Sequence, residues 1–164
     1  MIVSTIQSVA EGLTRPCAFI FGNLFAVNND LDIPNLTEGK DLVFVYIPPI
    51  EVSEETEDTP LIHSIFPFNF MILQRIDMPT TDYKSIEVEP IIDGCRDLVR
   101  EFIHTLNEQD VVEHGTTVNG NVRDGIDKWK MDNTYGAFDT NLFGVGVTCE
   151  LPVMEGKTGC VCKS

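Results

Sequence analysis

Apolar residues recur along this chain in two rhythms, and the change from one to the other divides it into helices and strands. Ile2, Ile6, Val9 and Leu13 step at helical spacing, and Gly12 with Pro16 closes the segment, which predicts a first helix. Residues 17–27 are aromatic and β-branched and predict a strand or an extended arm, followed by a loop over 28–40 that carries Pro34 and Gly39. Leu42–Ile47 is one continuous apolar run, as expected of a strand covered on both faces, and Pro48-Pro49 stops it. From Ile62 to Ile76 the rhythm becomes alternation. Ser64, Phe66, Phe68, Phe70 and Ile72 share one parity, while Ile65, Pro67, Asn69, Met71 and Leu73 share the other. This predicts a long strand, with Pro67 assigning its first half to an edge or a bulge.

After a turn at Pro79–Asp82 the helical rhythm returns. Val88, Ile91, Ile92, Cys95, Leu98, Val99, Phe102, Ile103 and Leu106 form a broad apolar stripe, with Asp93, Arg96, Asp97, Arg100 and Glu101 opposite. The start of this helix stays open between Asp82 and Pro90, because proline suits a first turn and not an interior. Residues 110–118 and 126–134 read as two strands joined by Asn119-Gly120, a hairpin signal. Phe143, Val145, Val147, Cys149, Leu151 and Val153 alternate with Gly144, Gly146, Thr148 and Glu150, which predicts a last strand with one buried face. The pattern gives one α+β domain over 1–153 and a short C-terminal tail over 154–164, with no internal repeat.

Length and composition fit that picture. The 164 residues are 43% apolar, enough for a normal core and too hydrophobic for disorder. No apolar run approaches the about 20 residues of a membrane span, and the N-terminus lacks the basic region of a signal peptide, so a cytosolic protein is expected. The five cysteines at 17, 95, 149, 160 and 162 are an odd set without disulfide spacing. Cys95 and Cys149 lie on apolar faces as small hydrophobes. Cys160 and Cys162 offer two thiolates of the usual four, a weak metal signal, and are expected to have no role.

Charge changes the picture more. The chain carries 26 acidic residues against 11 basic ones, a net charge of −15. Such a surface is a poor ligand for nucleic acid, whose binding requires Lys and Arg to displace counterions, and it equally disfavours anionic lipid. Five acids, Glu51, Glu54, Glu55, Glu57 and Asp58, fall in the eight-residue stretch Glu51–Asp58, expected to be an exposed connection between two apolar strands. One reading is a solvated turn that aids solubility. The other is that many copies form a ring whose acids face the bore or the neighbouring subunit, where a negative wall repels phosphate and lets DNA pass without sticking. Residues 17–30 and 48–61 are the projecting arms that would reach across a heterologous contact.

Chemistry is otherwise sparse. His63, His104 and His114 have no second ligand at metal spacing, and solvated or structural roles are expected for each. Asp30, Asp32, Asp124, Asp127 and Asp132 sit in loops without the calcium-loop pattern. Nucleophile elbow, Walker loop and dinucleotide fingerprint are absent, and Gly144 and Gly146 inside a strand point to close packing. Trp129, flanked by Lys128 and Lys130, could stack on a base, but a packed aromatic at a sheet or subunit contact is the better expectation. No cofactor, metal or catalytic residue is expected.

The order of elements, with Phe21-Gly-Asn-Leu-Phe25, the helix ending Glu101-Phe-Ile-His-Thr-Leu106, and Phe138-Asp-Thr-Asn-Leu-Phe-Gly-Val145 entering the final strand, resembles the small neck or tail-completion proteins of tailed bacteriophages. These include the tail-terminator type and the ring proteins of crAss-like phages. The resemblance spans about residues 1–153 as an element order and does not include the Cys160/Cys162 tail. It implies helices packed on a mostly antiparallel sheet, one long and one shorter, with extended arms, and assembly into a six- or twelve-fold ring at the head–tail junction. Portal, adaptor or tail-tube proteins would be its partners, and the virion its location after synthesis in the bacterial cytoplasm. It carries no catalytic residues. Two other functions remain compatible with the residues: a monomeric acidic host-interaction or DNA-mimic module, which would capture a basic partner, and a small hydrolase using unrecognised carboxylates.

Overall fold

The alternation that begins near Ile62 builds the strand around which the other elements are arranged. In the computed structural model, which describes residues 2–21, 41–56, 61–76, 85–137 and 142–156, β4 runs Leu61–Arg75. It follows α1 (Ile2–Glu11), β1 (Ala18–Phe21), β2 (Leu42–Ile47) and β3 (Ser53–Thr56). After it come α2 (Ser85–Asn107), the short strands β5 (Thr116–Val118) and β6 (Asn121–Arg123), then β7 (Trp129–Ala137) and β8 (Leu142–Gly156). Among the described residues the main sheet has the order β1-β2-β4-β8-β7, with β3 also paired to β4, and only β1–β2 is parallel. Among the described residues the fold is α+β, with a mixed, mostly antiparallel sheet and two helices.

The parity of β4 decides where the core lies. Phe68, Phe70 and Ile72 face α2, where Phe102 packs against all three of Phe44, Phe68 and Phe70 with ring centroids 4.7, 6.2 and 5.0 Å away. Offset and tilted ring contacts of this kind add to the large area each ring removes from water. The α2 stripe from Val88 to Leu106 supplies the helical side of this core, with Ile91 only partly buried. Ile2, Ile6, Val9 and Ala10 of α1 join it, and Thr14 beyond that helix hydrogen-bonds Glu101 through both its N–H and its hydroxyl. β2 is buried on both faces, since Phe44 and Tyr46 enter this core while Val43 and Val45 join Ile20, Leu73 and Leu142 on the other side of the sheet.

Four expectations change. The second helix starts at Ser85, between the two alternatives, and holds Pro90 inside it. Asn119-Gly120 does make a tight turn, with φ of 49° and 81°, but the hairpin it closes is only β5–β6, in a two-stranded sheet of its own. Residues 129–137 pair instead with β8, because the apolar parity of β8 needs a partner across the main sheet. The expected tail also begins too early: Met154, Glu155 and Gly156 still pair with His63, Ile62 and Leu61. Finally, part of the acidic connection is a strand, Ser53–Thr56, held against Ile62–Ile65.

Pro67 sits where β4 changes partners. β2 ends opposite Asn69 and β3 begins opposite Ile65, so on that side Pro67 has no ladder partner and its missing N–H costs little. Gly144 is required by proximity. A Cβ there would lie 2.1 Å from the carbonyl oxygen of Ile72 on the paired strand, closer than any side chain can be.

Candidate functional site

Two features of the described residues stand apart from the apolar core: a buried charged cluster at the Leu61 end of β4, and a groove beside Trp129.

The cluster is built by strand register. Glu55 of β3 lies opposite His63 of β4, on the face of the sheet turned away from α2. Along β8, Val112 bridges Val153 and the Glu113 N–H donates to the Pro152 carbonyl, which lays residues 111–113 against that strand. Glu113 is thereby sealed in, 1% exposed, with Oε1 3.0 Å from His63 Nδ1 and Oε2 accepting the Thr116 hydroxyl at 2.7 Å. With Glu113 ionised, His63 carries its proton on Nδ1 and donates it to this bond. The β5–β6 hairpin brings in Arg123, which is 3% exposed; its Nη2 donates to Glu55 Oε2 at 2.8 Å. Arg123 Nε and Nη1 are buried without a hydrogen-bond partner among the described residues. A buried charge left partly unpaired costs free energy, so this end of the molecule is held by specific pairing rather than by packing.

The cluster is ordered threonine–glutamate–histidine, with the carboxylate between the hydroxyl and the imidazole. None of these three side chains lines the cavities found beside the hairpin. The smaller, about 90 Å³, is lined by Arg123 together with Asp124, Asp127 and Glu150. Among the described residues no group of three or more His, Cys, Asp or Glu is arranged to hold a metal.

The larger cavity is an open groove of about 750 Å³ between the hairpin and the end of β7. Trp129, 37% exposed, and Val122, 75% exposed, line it with Pro67. Lys128 and Lys130 are balanced there by Asp127 and Glu150, so the groove is locally neutral on a strongly negative chain. Trp129 thus stands on the outer strand of the sheet, next to solvent.

The acids singled out in the sequence fare differently from one another. Glu51 and Glu54 are exposed and make no ion pair among the described residues, whereas Glu55 is half-buried on Arg123. Glu57 and Asp58 lie outside the described residues, as do Asp30, Asp32, Cys160 and Cys162. Next to Glu51, Ile50 is as exposed as in an extended peptide (102%) and Val52 is 38% exposed. Asp124 lies 3.4 Å from His114 and accepts the Gly115 N–H; Asp127 and Asp132 are solvated. His104 pairs with Glu108 on the outer face of α2.

Sequence reasoning missed Glu113 and Arg123. Glu113 gave one signal, an acid directly after Val111-Val112 in a predicted strand. Arg123 gave none, since its partner is 68 residues away. The buried thiols behave as apolar groups. Burial pushes Cys95 up to about 11, with Arg15 opposing, and pushes Cys149 up to about 12, with Glu150 adding to the rise. The Tyr46 hydroxyl is also raised by burial.

No protein-family model matches the chain, and no curated protein matches it. No helix among the described residues is long and apolar enough to cross a membrane.

Proposed function

We propose that this chain is a structural subunit of a virion, assembling in repeated copies into a ring at the head–tail junction of a tailed phage and leaving a passage for DNA. The observation that carries this reading is the unlike character of the two flanks of the main sheet. One flank ends in the short parallel strand β1, with Phe21 49% exposed, and beyond it the acidic tip between β2 and β3. The other ends in β7, a nine-residue antiparallel strand whose Trp129 and Tyr135 (62% exposed) face solvent. Two different sticky flanks favour a heterologous contact, in which each copy offers one flank to the next, and a contact of that kind repeats until a rotation closes it into a ring. Glu51 and Glu54, free of ion pairs with described residues, supply negative charge that repels DNA phosphate from the wall.

Light scattering coupled to size exclusion, together with imaging of virions, tests the reading. A closed oligomer of uniform mass found at the neck of particles is the expected result. A strict monomer that captures a basic partner in a salt-sensitive way overturns it in favour of an acidic host-interaction or DNA-mimic module.

A further inference from the structure

We infer that the exposed tip Ile50–Val52 of one copy seats in the Trp129 groove of the next. The inference rests on the ring reading above and names the contact that would close the ring.

The tip is held at a defined height. β2 leaves the sheet opposite Asn69 and β3 returns opposite Ile65, so residues 48–52 project from the flank of β4 at the level of Phe66–Phe68. The outer rim of the groove, Trp129, is held at the same height on the far flank. Trp129 pairs with Cys149, and Cys149 pairs with Phe68. β4 and β8 lie between the tip and Trp129, so those two are about 14 Å apart across three strand spacings, while the near wall of the groove, Pro67, stands on β4 itself. In its own subunit the tip stands in solvent, with Ile50 102% exposed, and does not occupy the groove. Copies placed side by side bring the tip of one level with the groove of its neighbour.

The two surfaces are matched in chemistry. A fully exposed isoleucine on a tight connection has no partner among the described residues of its own subunit, and Trp129, Val122 and Pro67 offer it an apolar seat. Exposed apolar groups presented singly are ordinary, but here they stand on both halves of a geometrically opposed pair. Charge narrows the choice of seat. Two copies each at −15 repel over most of their surfaces, and the tip brings Glu51 with it. The groove is the place where Lys128 and Lys130 cancel Asp127 and Glu150, so Glu51 meets no net negative charge and finds lysines at the edge. A residue such as Trp129 in the middle of an otherwise modest contact is the kind that carries most of an interface's energy.

The test uses the whole chain in sedimentation velocity: wild type, Ile50→Asp, Trp129→Ala, and an equimolar mixture of the two variants. Both positions are exposed, so neither change should alter the fold, and Val122→Asp attacks the groove from its other lip as a second variant. The expected result is an oligomer for the wild type and an association constant lowered about tenfold or more in each variant. The mixture should form a one-to-one dimer and stop there, because one intact tip can meet one intact groove and no more. If the variants assemble like an oligomeric wild type, this contact is wrong while the ring reading survives. If the mixture stays monomeric while each variant alone is impaired, the two sites do not meet. A wild type that remains monomeric at every concentration removes both.

Discussion

The two halves of strand β4 are stabilised in opposite ways. From Phe68 to Ile72 it lies beneath α2 in a wholly apolar core, whereas from Leu61 to Ile65 it carries His63 into a buried cluster with Glu55, Glu113 and Arg123 nearby. The first half draws on burial of area, which is non-directional and tolerant of substitutions that keep volume. The second draws on named partners, each of which must be present for the others to be tolerable. The difference shows why the apolar half could be read from one strand's periodicity and the charged half could not.

The largest break in this comparison is Phe102→Ala, which removes the ring that Phe44, Phe68 and Phe70 share. About 3–5 kcal/mol of stability should be lost in urea unfolding, while Phe102→Leu should cost far less. At the charged end, Glu113→Ala strands both His63 and the Thr116 hydroxyl and should cost about 3 kcal/mol in the same measurement. Here a leucine should not rescue, and a rescue equal to that at position 102 would show that the pairing carries no specificity. Adjacent acids sharpen the contrast further. Glu55→Ala removes the carboxylate that Arg123 pairs with among the described residues and should lower stability by about 2 kcal/mol, whereas Glu54→Ala, one residue away on the other face of β3, should stay within about 0.5 kcal/mol.

A separate test of the apolar half uses pH. Cys95 and Cys149 stay neutral in the fold to about 11 and about 12, against 9.0 for the unreinforced thiol. Above pH 9 the unfolded chain ionises while the folded one does not, so stability is complete below pH 9 and declines as pH rises towards 11 and 12. Each thiol should contribute a slope of about 1.4 kcal/mol per pH unit over that window. Replacing both by alanine should flatten the limb, and an unchanged limb would mean that these thiols are not held neutral by burial.

Much of the fold was legible. Strict alternation in Phe143–Val153 and the three-and-one stepping of α2 each specify an element, because one covered face imposes its own period on the residues. Asn119-Gly120 marked a turn by its backbone tolerance, yet the strands flanking it were misjudged. A turn signal fixes where the chain reverses and says nothing of how far pairing continues beyond it. Among the acids, Glu51, Glu54 and Glu55 look alike in the sequence. Only the alternation of β3, once its register against His63 exists, separates an exposed Glu54 from a paired Glu55.

By itself the sequence determined the periods, the stop at Pro48-Pro49 and the overall negative charge, since each follows from composition or from neighbouring residues. Tertiary structure alone decided that Arg123 meets Glu55 and that Glu113 meets His63. It also decided that Ile50 and Trp129 stand at one level on opposite flanks. These facts depend on strand register across long separations, where chain closure and mutual burial, rather than local preference, choose the partner.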